Sequence, residues 1–234
     1  MKVTLLVFTL NEREGMEKIM PKIKKEWVDE IIVVDGGSTD GTIEYVRENG
    51  YSVIIQKKRG LRNAYIEALE CSTGDIIITF SPDGNSIPEL IPPLVEKMKE
   101  GYDMVVVSRY LKGAKSYDDD IITAFGNWMF TSLINLIYRA KYTDAIVMFR
   151  AWKREIFKEL DLDKEETYRT EERLFHTTVG VEPLLSIRAA KRKLKIAEIP
   201  GDEPPRMGGK RKLQIFQWGA AYLFEIFREI FIWH

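Results

Sequence analysis

The feature that most constrains this 234-residue chain is the regular alternation, over its first 108 residues, of short apolar runs with amphipathic segments. The runs at 3–8, 31–34, 52–56, 75–80 and 103–107 are mostly unbroken and rich in β-branched residues, as expected of strands covered on both faces. Between them, Met16, Ile19, Met20 and Ile23 share one helical face, and so do Leu90, Ile91, Leu94, Val95 and Met98. Asn49-Gly50, Gly74 and Gly101 each stand just before a strand, where a helix C-terminus favours a left-handed residue. Strands and helices alternating at this spacing predict an α/β fold: an open, mostly parallel central sheet flanked by helices.

After about residue 108 the pattern changes. A polar loop at 109–120 precedes an uncharged apolar stretch, 121–138, expected to be helical. A strand is expected near 144–150, a charged segment at 161–173 and a short strand at 196–199. The proline-rich run 200–205 suits neither a helix nor a central strand. No internal repeat, low-complexity linker or clear domain boundary interrupts the chain.

Composition narrows the function classes. With 36 acidic and 35 basic residues the net charge is −1, so the chain lacks the basic excess of a nucleic-acid binder. An apolar content of 45% with so little net charge argues against disorder. The single cysteine, Cys71, permits no internal disulfide, and two histidines leave little material for a Cys/His zinc site. The apolar start at 3–8 is too short for a signal peptide and runs into Asn11-Glu12-Arg13-Glu14. A reducing, cytoplasmic location is therefore expected. The stretch 121–138 approaches membrane-spanning length, but Gly126, Asn127, Thr131, Ser132 and Asn135 would be costly in lipid.

In open α/β sheets ligands bind outside the carboxyl ends of the strands. Here those ends read Thr9-Leu10-Asn11-Glu12, Asp35-Gly36-Gly37-Ser38-Thr39-Asp40-Gly41, Ser81-Pro82-Asp83-Gly84-Asn85 and Ser108-Arg109-Tyr110. Taken singly, Ser38, Thr39 and Asp40 suit a helix N-cap and Asp83-Gly84 a turn. Taken together, four polar strand ends favour a site. G-x-G-x-x-G, Walker A and G-x-S-x-G sequences are all absent, which disfavours a dinucleotide dehydrogenase, a P-loop ATPase and an α/β-hydrolase. Acidic strand ends on a nucleotide-type fold suit a metal–diphosphate substrate, and the Asp83 carboxylate and Asn85 amide oxygen are hard ligands of the kind Mg²⁺ or Mn²⁺ accepts.

Thr9-Leu10-Asn11-Glu12, Val34-Asp35-Gly36-Gly37-Ser38-Thr39-Asp40-Gly41-Thr42 and Gly74-Asp75 followed by a strand leading to Asp83 resemble family-2 glycosyltransferases of GT-A fold. Ser108-Arg109-Tyr110, Tyr142-Thr143-Asp144, Phe149-Arg150-Ala151, Gly180-Val181-Glu182 and Arg206-Met207-Gly208-Gly209-Lys210-Arg211-Lys212 resemble, in that order, the dolichyl-phosphate mannose synthase branch. The resemblance spans nearly the whole chain. It implies one GT-A domain, 1–234, with a nucleotide-sugar half at 1–108, an acceptor half with a phosphate-binding loop at 109–212 and an amphipathic helix at 213–234.

By that resemblance Leu10, Asn11, Glu12 and Asp35 hold the nucleoside of a GDP- or UDP-sugar, joined by Arg62 beside the basic run Lys57-Lys58-Arg59. Arg206 and Lys212 neutralise the leaving phosphates, with Arg a planar fork and Lys a mobile point charge. Asp83 and Asn85 bind the divalent metal, and Arg109 and Glu182 contact the acceptor. The family's metal motif usually reads Asp-x-Asp, whereas Ser81 fills the first position here, and the missing carboxylate weakens the expected metal dependence. The family arginine expected before Gly126-Asn127 is also absent from Ile122-Thr123-Ala124-Phe125.

A polyprenyl-phosphate acceptor is already ionised near neutral pH and needs no general base, so catalysis reduces to alignment and charge stabilisation. A saccharide hydroxyl acceptor would instead need a carboxylate base, for which Glu171, Glu172 and Glu182 are candidates; Glu171 and Glu172 read rather as solvated helix charges. A weakly active sugar-nucleotide-binding protein is the third reading. A lipid acceptor would also give 121–138 and the aromatic C-terminus a membrane-surface role through Trp128, Phe130, Phe216, Trp218 and Trp233. The a/d spacing of Leu213, Phe216, Ala220, Leu223, Phe227 and Ile230 suits a homodimer face equally well.

Overall fold

The computed structural model describes residues 1–207 and 215–233. Its core is a seven-stranded sheet of order β3-β2-β1-β4-β6-β5-β7. The strands are β1 (Val3–Thr9), β2 (Glu30–Asp35), β3 (Ser52–Ile55), β4 (Ile76–Phe80), β5 (Met104–Ser108), β6 (Arg150–Lys153) and β7 (Ile196–Pro200). All neighbours pair in parallel except β6, which runs antiparallel to both β4 and β5. The mostly parallel α/β sheet expected from the alternation is present.

The two-residue period of a strand divides each apolar run between two cores. On one face Leu6, Phe8, Ile77, Val106 and Trp152 pack against α3 (Leu61–Cys71), α5 (Ile121–Tyr138), α8 (Glu182–Lys191) and α9 (Ile215–Arg228). On the other, Leu5, Val7, Ile78, Phe80 and Val105 pack against α1 (Arg13–Ile19), α2 (Thr42–Glu48) and α4 (Ile91–Lys99). Two short helices, α6 (Ile156–Glu159) and α7 (Arg169–Phe175), complete the second half.

Four local expectations need correction. The strand expected at 144–150 begins only at Arg150. Part of the segment before it is fastened by side chains instead: Glu198 accepts the Thr143 and Asp144 N–H groups, Thr131 accepts that of Ala145, and the buried Arg150 donates to the Val147 and Ala145 carbonyls. Gly50 and Gly101 are left-handed, with φ of 72° and 85°, but Gly74 is not. Gly74 is required by close approach, because a Cβ there would lie 2.5 Å from Thr4 Oγ1 and 2.6 Å from Thr4 N. None of Ser38, Thr39 and Asp40 is the N-cap of α2; that position is the left-handed Gly41, while Asp40 folds back to accept the Thr42 N–H at 3.0 Å.

The fourth correction concerns Glu171 and Glu172, which are not simply solvated. Glu171 on α7 is fully buried against Arg228 of α9, and Glu172 pairs with Arg62 at 3.1 Å.

Helices α5 and α9 carry apolar side chains on their outer faces as well as on their inner ones. In α5 the polar Asn127 and Thr131 are turned inward with Phe130 and Ile134, whereas Ile121, Ile122, Phe125, Trp128 and Leu136 are exposed. In α9 the inward residues are Ala221, Tyr222, Glu225 and Ile226, while Phe216 and Phe227 face out. Of the a/d set expected on α9, Phe216, Phe227 and Ile230 are exposed and Ala220 and Leu223 half-buried; Leu213 lies outside the described residues. Among the described residues Ile121–Tyr138 is the one helix long and apolar enough to cross a membrane, with a mean hydropathy of 1.3.

Candidate functional site

A cavity of about 810 Å³ opens at the carboxyl ends of the parallel strands. One end is walled by Leu10, Glu12, Gly36, Asp83, Asn85 and Arg206, and the other by Arg109, Asn127, Phe130, Trp218 and Tyr222. The strand-end loops that form the first wall hold one another. The Asp35 carboxylate, fully buried, accepts the Gly37 and Ser38 N–H groups at 2.8 and 2.7 Å and the Ser38 hydroxyl at 2.7 Å. Asn11, left-handed at φ 51°, donates its N–H to Ser38 Oγ and accepts that of Thr39, both at 2.8 Å. Asp35 and Asn11 thus shape the β1 and β2 loops, and Leu10 and Glu12 reach the cavity from them.

After β4 the chain turns tightly. Asp83 Oδ1 accepts the Asn85 N–H at 3.0 Å, and Gly84 takes φ 95°. The segment before residue 208 closes over this turn: Asn85 Nδ2 donates to the Pro204 carbonyl at 2.8 Å and the Met207 N–H to the Asp83 carbonyl at 2.6 Å. Arg206 Nη2 lies 2.7 Å from Asp83 Oδ2, and its Nη1 lies 3.0 Å from Glu12 Oε1.

At the far end Arg109, following β5, is bound by Asp144 and Glu203, with Nη1 to Glu203 Oε1 at 3.1 Å. Burial opposes its charge, but Asp144 and then Glu203 outweigh that and raise its pKa further. Burial likewise pushes the Glu203 carboxyl above the ordinary range, although Arg109 pulls it down. Nη2 of Arg109 also reaches Asn127 Oδ1 of α5 at 3.4 Å, tying this end of the cavity to that helix.

The cavity therefore gathers Leu10, Glu12, Asp83, Asn85, Arg109 and Arg206. Four expected contacts lie outside its lining: Asn11 and Asp35, which shape the loops behind it, and Arg62 and Glu182. Arg62 stacks over the Tyr168 ring at 4.7 Å and pairs with Glu172. Glu182 is buried and accepts the Tyr65 hydroxyl at 2.7 Å, an arrangement in which burial first, and then the Glu182 charge, raise the pKa of Tyr65. Lys212 lies outside the described residues. Asp144 and Glu203 were not singled out as site residues by sequence reasoning. Asp144 appeared only within a family motif, and Glu203 sits in a proline-rich loop with no local signal.

Asp83 offers one carboxylate and Asn85 one amide oxygen, and among the described residues no group of three or more Asp, Glu, His or Cys side chains is arranged to hold a metal. Such a donor set fits an ion of the Mg²⁺ type, which is commonly held by one or two carboxylates together with substrate phosphates and water.

A mostly parallel sheet with one reversed strand and its site across the carboxyl ends is compatible with a GT-A type fold, and the comparisons with known proteins show that fold. The model of glycosyl transferase family 2 matches residues 4–161, and the chain belongs to that family. Its fold is shared with glucosyl-3-phosphoglycerate synthase from Mycobacterium tuberculosis, in a complex with Mn²⁺, UDP and product, at a TM-score of 0.62 and 20% identity over 96% of this chain and 79% of that one. A dolichol-phosphate mannosyltransferase of Pyrococcus furiosus is 28% identical over 99% of this chain, which spans 63% of that relative. A dolichyl-phosphate hexose transferase of Haloferax volcanii is 27% identical over 94% of this chain and 90% of its own length.

Proposed function

We propose that the protein transfers a sugar, with inversion, from a GDP- or UDP-sugar to a polyprenyl phosphate at the cytoplasmic face of a membrane. The observation that carries this reading is the apolar outer face of α5 and α9. Both expose aromatic and aliphatic side chains although their inner faces already pack against the protein, and both line the apolar end of the cavity. A surface of that kind suits a lipid interface and an acceptor with an isoprenoid tail. The names of the Pyrococcus and Haloferax relatives support it.

In this reading the nucleoside lies against Leu10 and the β1 and β2 loops, and the diphosphate lies between Asp83 and Arg206. A divalent metal held by Asp83 and the Asn85 amide oxygen would neutralise charge developing on the leaving diphosphate. Arg109 orients the acceptor phosphate, whose ionised oxygen attacks the anomeric carbon from the face opposite the diphosphate. No base is required. The glutamates considered for a hydroxyl acceptor lie away from the cavity lining: Glu171 with Arg228, Glu172 with Arg62, Glu182 with Tyr65.

The test is to incubate the protein with GDP- and UDP-sugars, Mg²⁺ or Mn²⁺ and short polyprenyl phosphates, and to identify the product. A glycosylated lipid phosphate is expected. Product on soluble saccharides alone would assign a hydroxyl acceptor, and nucleotide binding without turnover would assign a binding protein.

A further inference from the structure

The guanidinium of Arg206 occupies the place where a cation is needed. It bridges Glu12 Oε1 at 3.0 Å and Asp83 Oδ2 at 2.7 Å, joining the ends of β1 and β4. Both carboxylates are buried, at 5% exposure each. The backbone beside it is fastened to the same region, because the Arg206 N–H donates to Asp118 Oδ1 at 3.2 Å and the Met207 N–H to the Asp83 carbonyl. Met207 also covers the turn, where a Cβ on Gly84 would lie 2.7 Å from Met207 Cγ.

Ser81 leaves the turn with Asp83 as its only acidic residue. An ion of the Mg²⁺ type needs an oxygen at about 2.0–2.1 Å. Asp83 Oδ1 already accepts the Asn85 N–H, and Oδ2 is the atom held by Arg206. A free ion must therefore displace a guanidinium that two buried carboxylates, Glu12 and Asp83, retain.

We infer that Arg206 is a built-in counter-cation that keeps free divalent metal off Asp83, and that the ion enters only together with the nucleotide diphosphate. The incoming phosphate oxygens offer Arg206 another bidentate, charge-assisted partner in exchange for the carboxylates. Metal and diphosphate then arrive as one unit, and the released guanidinium turns to the phosphates. The inference rests on the proposed reading of this cavity as a nucleotide-diphosphate site.

The test measures Mn²⁺ binding through the electron paramagnetic resonance signal of the free ion, with no acceptor and no turnover. Without nucleotide, Arg206→Gln is expected to bind Mn²⁺ about tenfold more tightly than the unaltered protein. Arg206→Lys should fall between them, because an ammonium neutralises charge but does not span both carboxylates. Asp83→Asn in the Arg206→Gln background should remove the gain, and circular dichroism of each variant verifies folding. Adding UDP or GDP should raise Mn²⁺ affinity in the unaltered protein. Equal affinity of the unaltered and Arg206→Gln proteins without nucleotide overturns the inference, as does an unaltered protein that binds Mn²⁺ equally well with and without nucleotide. Failure to bind either nucleotide would instead overturn the proposed function, while the ratio measured without nucleotide still decides the role of Arg206.

Discussion

The guanidinium of Arg109 grips the fully buried carboxylate of Asp144 through two bonds, Nε to Oδ2 at 2.6 Å and Nη2 to Oδ1 at 3.1 Å. This fork-to-fork pair fixes the plane of the cation, while Glu203 and Asn127 hold the remaining edges. Asp144→Asn removes one charge and one acceptor while Glu203 remains. We expect a loss of about 3 kcal/mol, the low end for breaking a buried pair, measured by urea unfolding. Transfer should fall more steeply than folding, because Arg109 loses its orientation. A variant of unchanged stability and rate would refute the positioning role.

Asp83→Ala tests the other end of the cavity. It removes the carboxylate that faces Arg206 and, in the proposed reaction, the metal. The transfer rate should fall by about 10²–10³, a typical effect of deleting one charge-stabilising group. Full activity in initial-rate assays would exclude Asp83 from the reaction.

The outward face of α5 offers a separate test. Phe125 and Trp128 are 58% and 64% exposed, and their rings lie 5.7 Å apart. Phe125→Glu with Trp128→Glu should leave folding within about 0.5 kcal/mol, as for other exposed positions. Co-sedimentation with anionic vesicles should drop by about tenfold or more, since burying one such side chain contributes about 1.5–3 kcal/mol. Unchanged sedimentation would remove α5 from any lipid contact.

Glu225, on the inward face of α9, predicts a pH dependence. Burial, and then the neighbouring Glu171 charge, push its carboxyl well above the ordinary 4.5, although Arg228 and Arg188 oppose this. Glu229 adds repulsion, and the Tyr138, Tyr168 and Tyr222 hydroxyls face the same cluster. Below the ordinary value both folded and unfolded forms are protonated, and no penalty arises. As pH rises above it, the unfolded chain ionises first, so the folded state loses stability until its own raised pKa is reached. Glu225→Gln lacks that loss. Its melting temperature relative to the unaltered protein should therefore rise as the pH increases above the ordinary carboxylate value. A constant difference would show that Glu225 is ionised in the folded protein.

Strands, their parallel arrangement and the strand-end loops were legible because each depends on neighbours in sequence: the apolar runs, Asp35-Gly36-Gly37 and Asp83-Gly84. Charge pairing was not. Arg109 finds Asp144 and Glu203, 35 and 94 positions away, and Arg62 finds Glu172 at 110. No local pattern encodes such partners, so Arg62 resembled a phosphate contact and Glu171 a solvated charge. Hydropathy likewise marked α5 and α9 as apolar without revealing which side faces out, because that depends on what packs against each helix: Asn127 turns inward to Arg109, and Glu225 is buried on the inner face of α9.

The reversed strand β6 has a consequence for how such a chain can diversify. Residues 109–149 leave the sheet at the end of β5 and re-enter it at the start of β6, and because β6 runs antiparallel both points lie at the same edge of the molecule. The excursion is thus an insert with its two ends side by side. It can lengthen, shorten or be exchanged while β1 to β4 keep their order, and in the proposed reaction this would let selection change what receives the sugar independently of what delivers it.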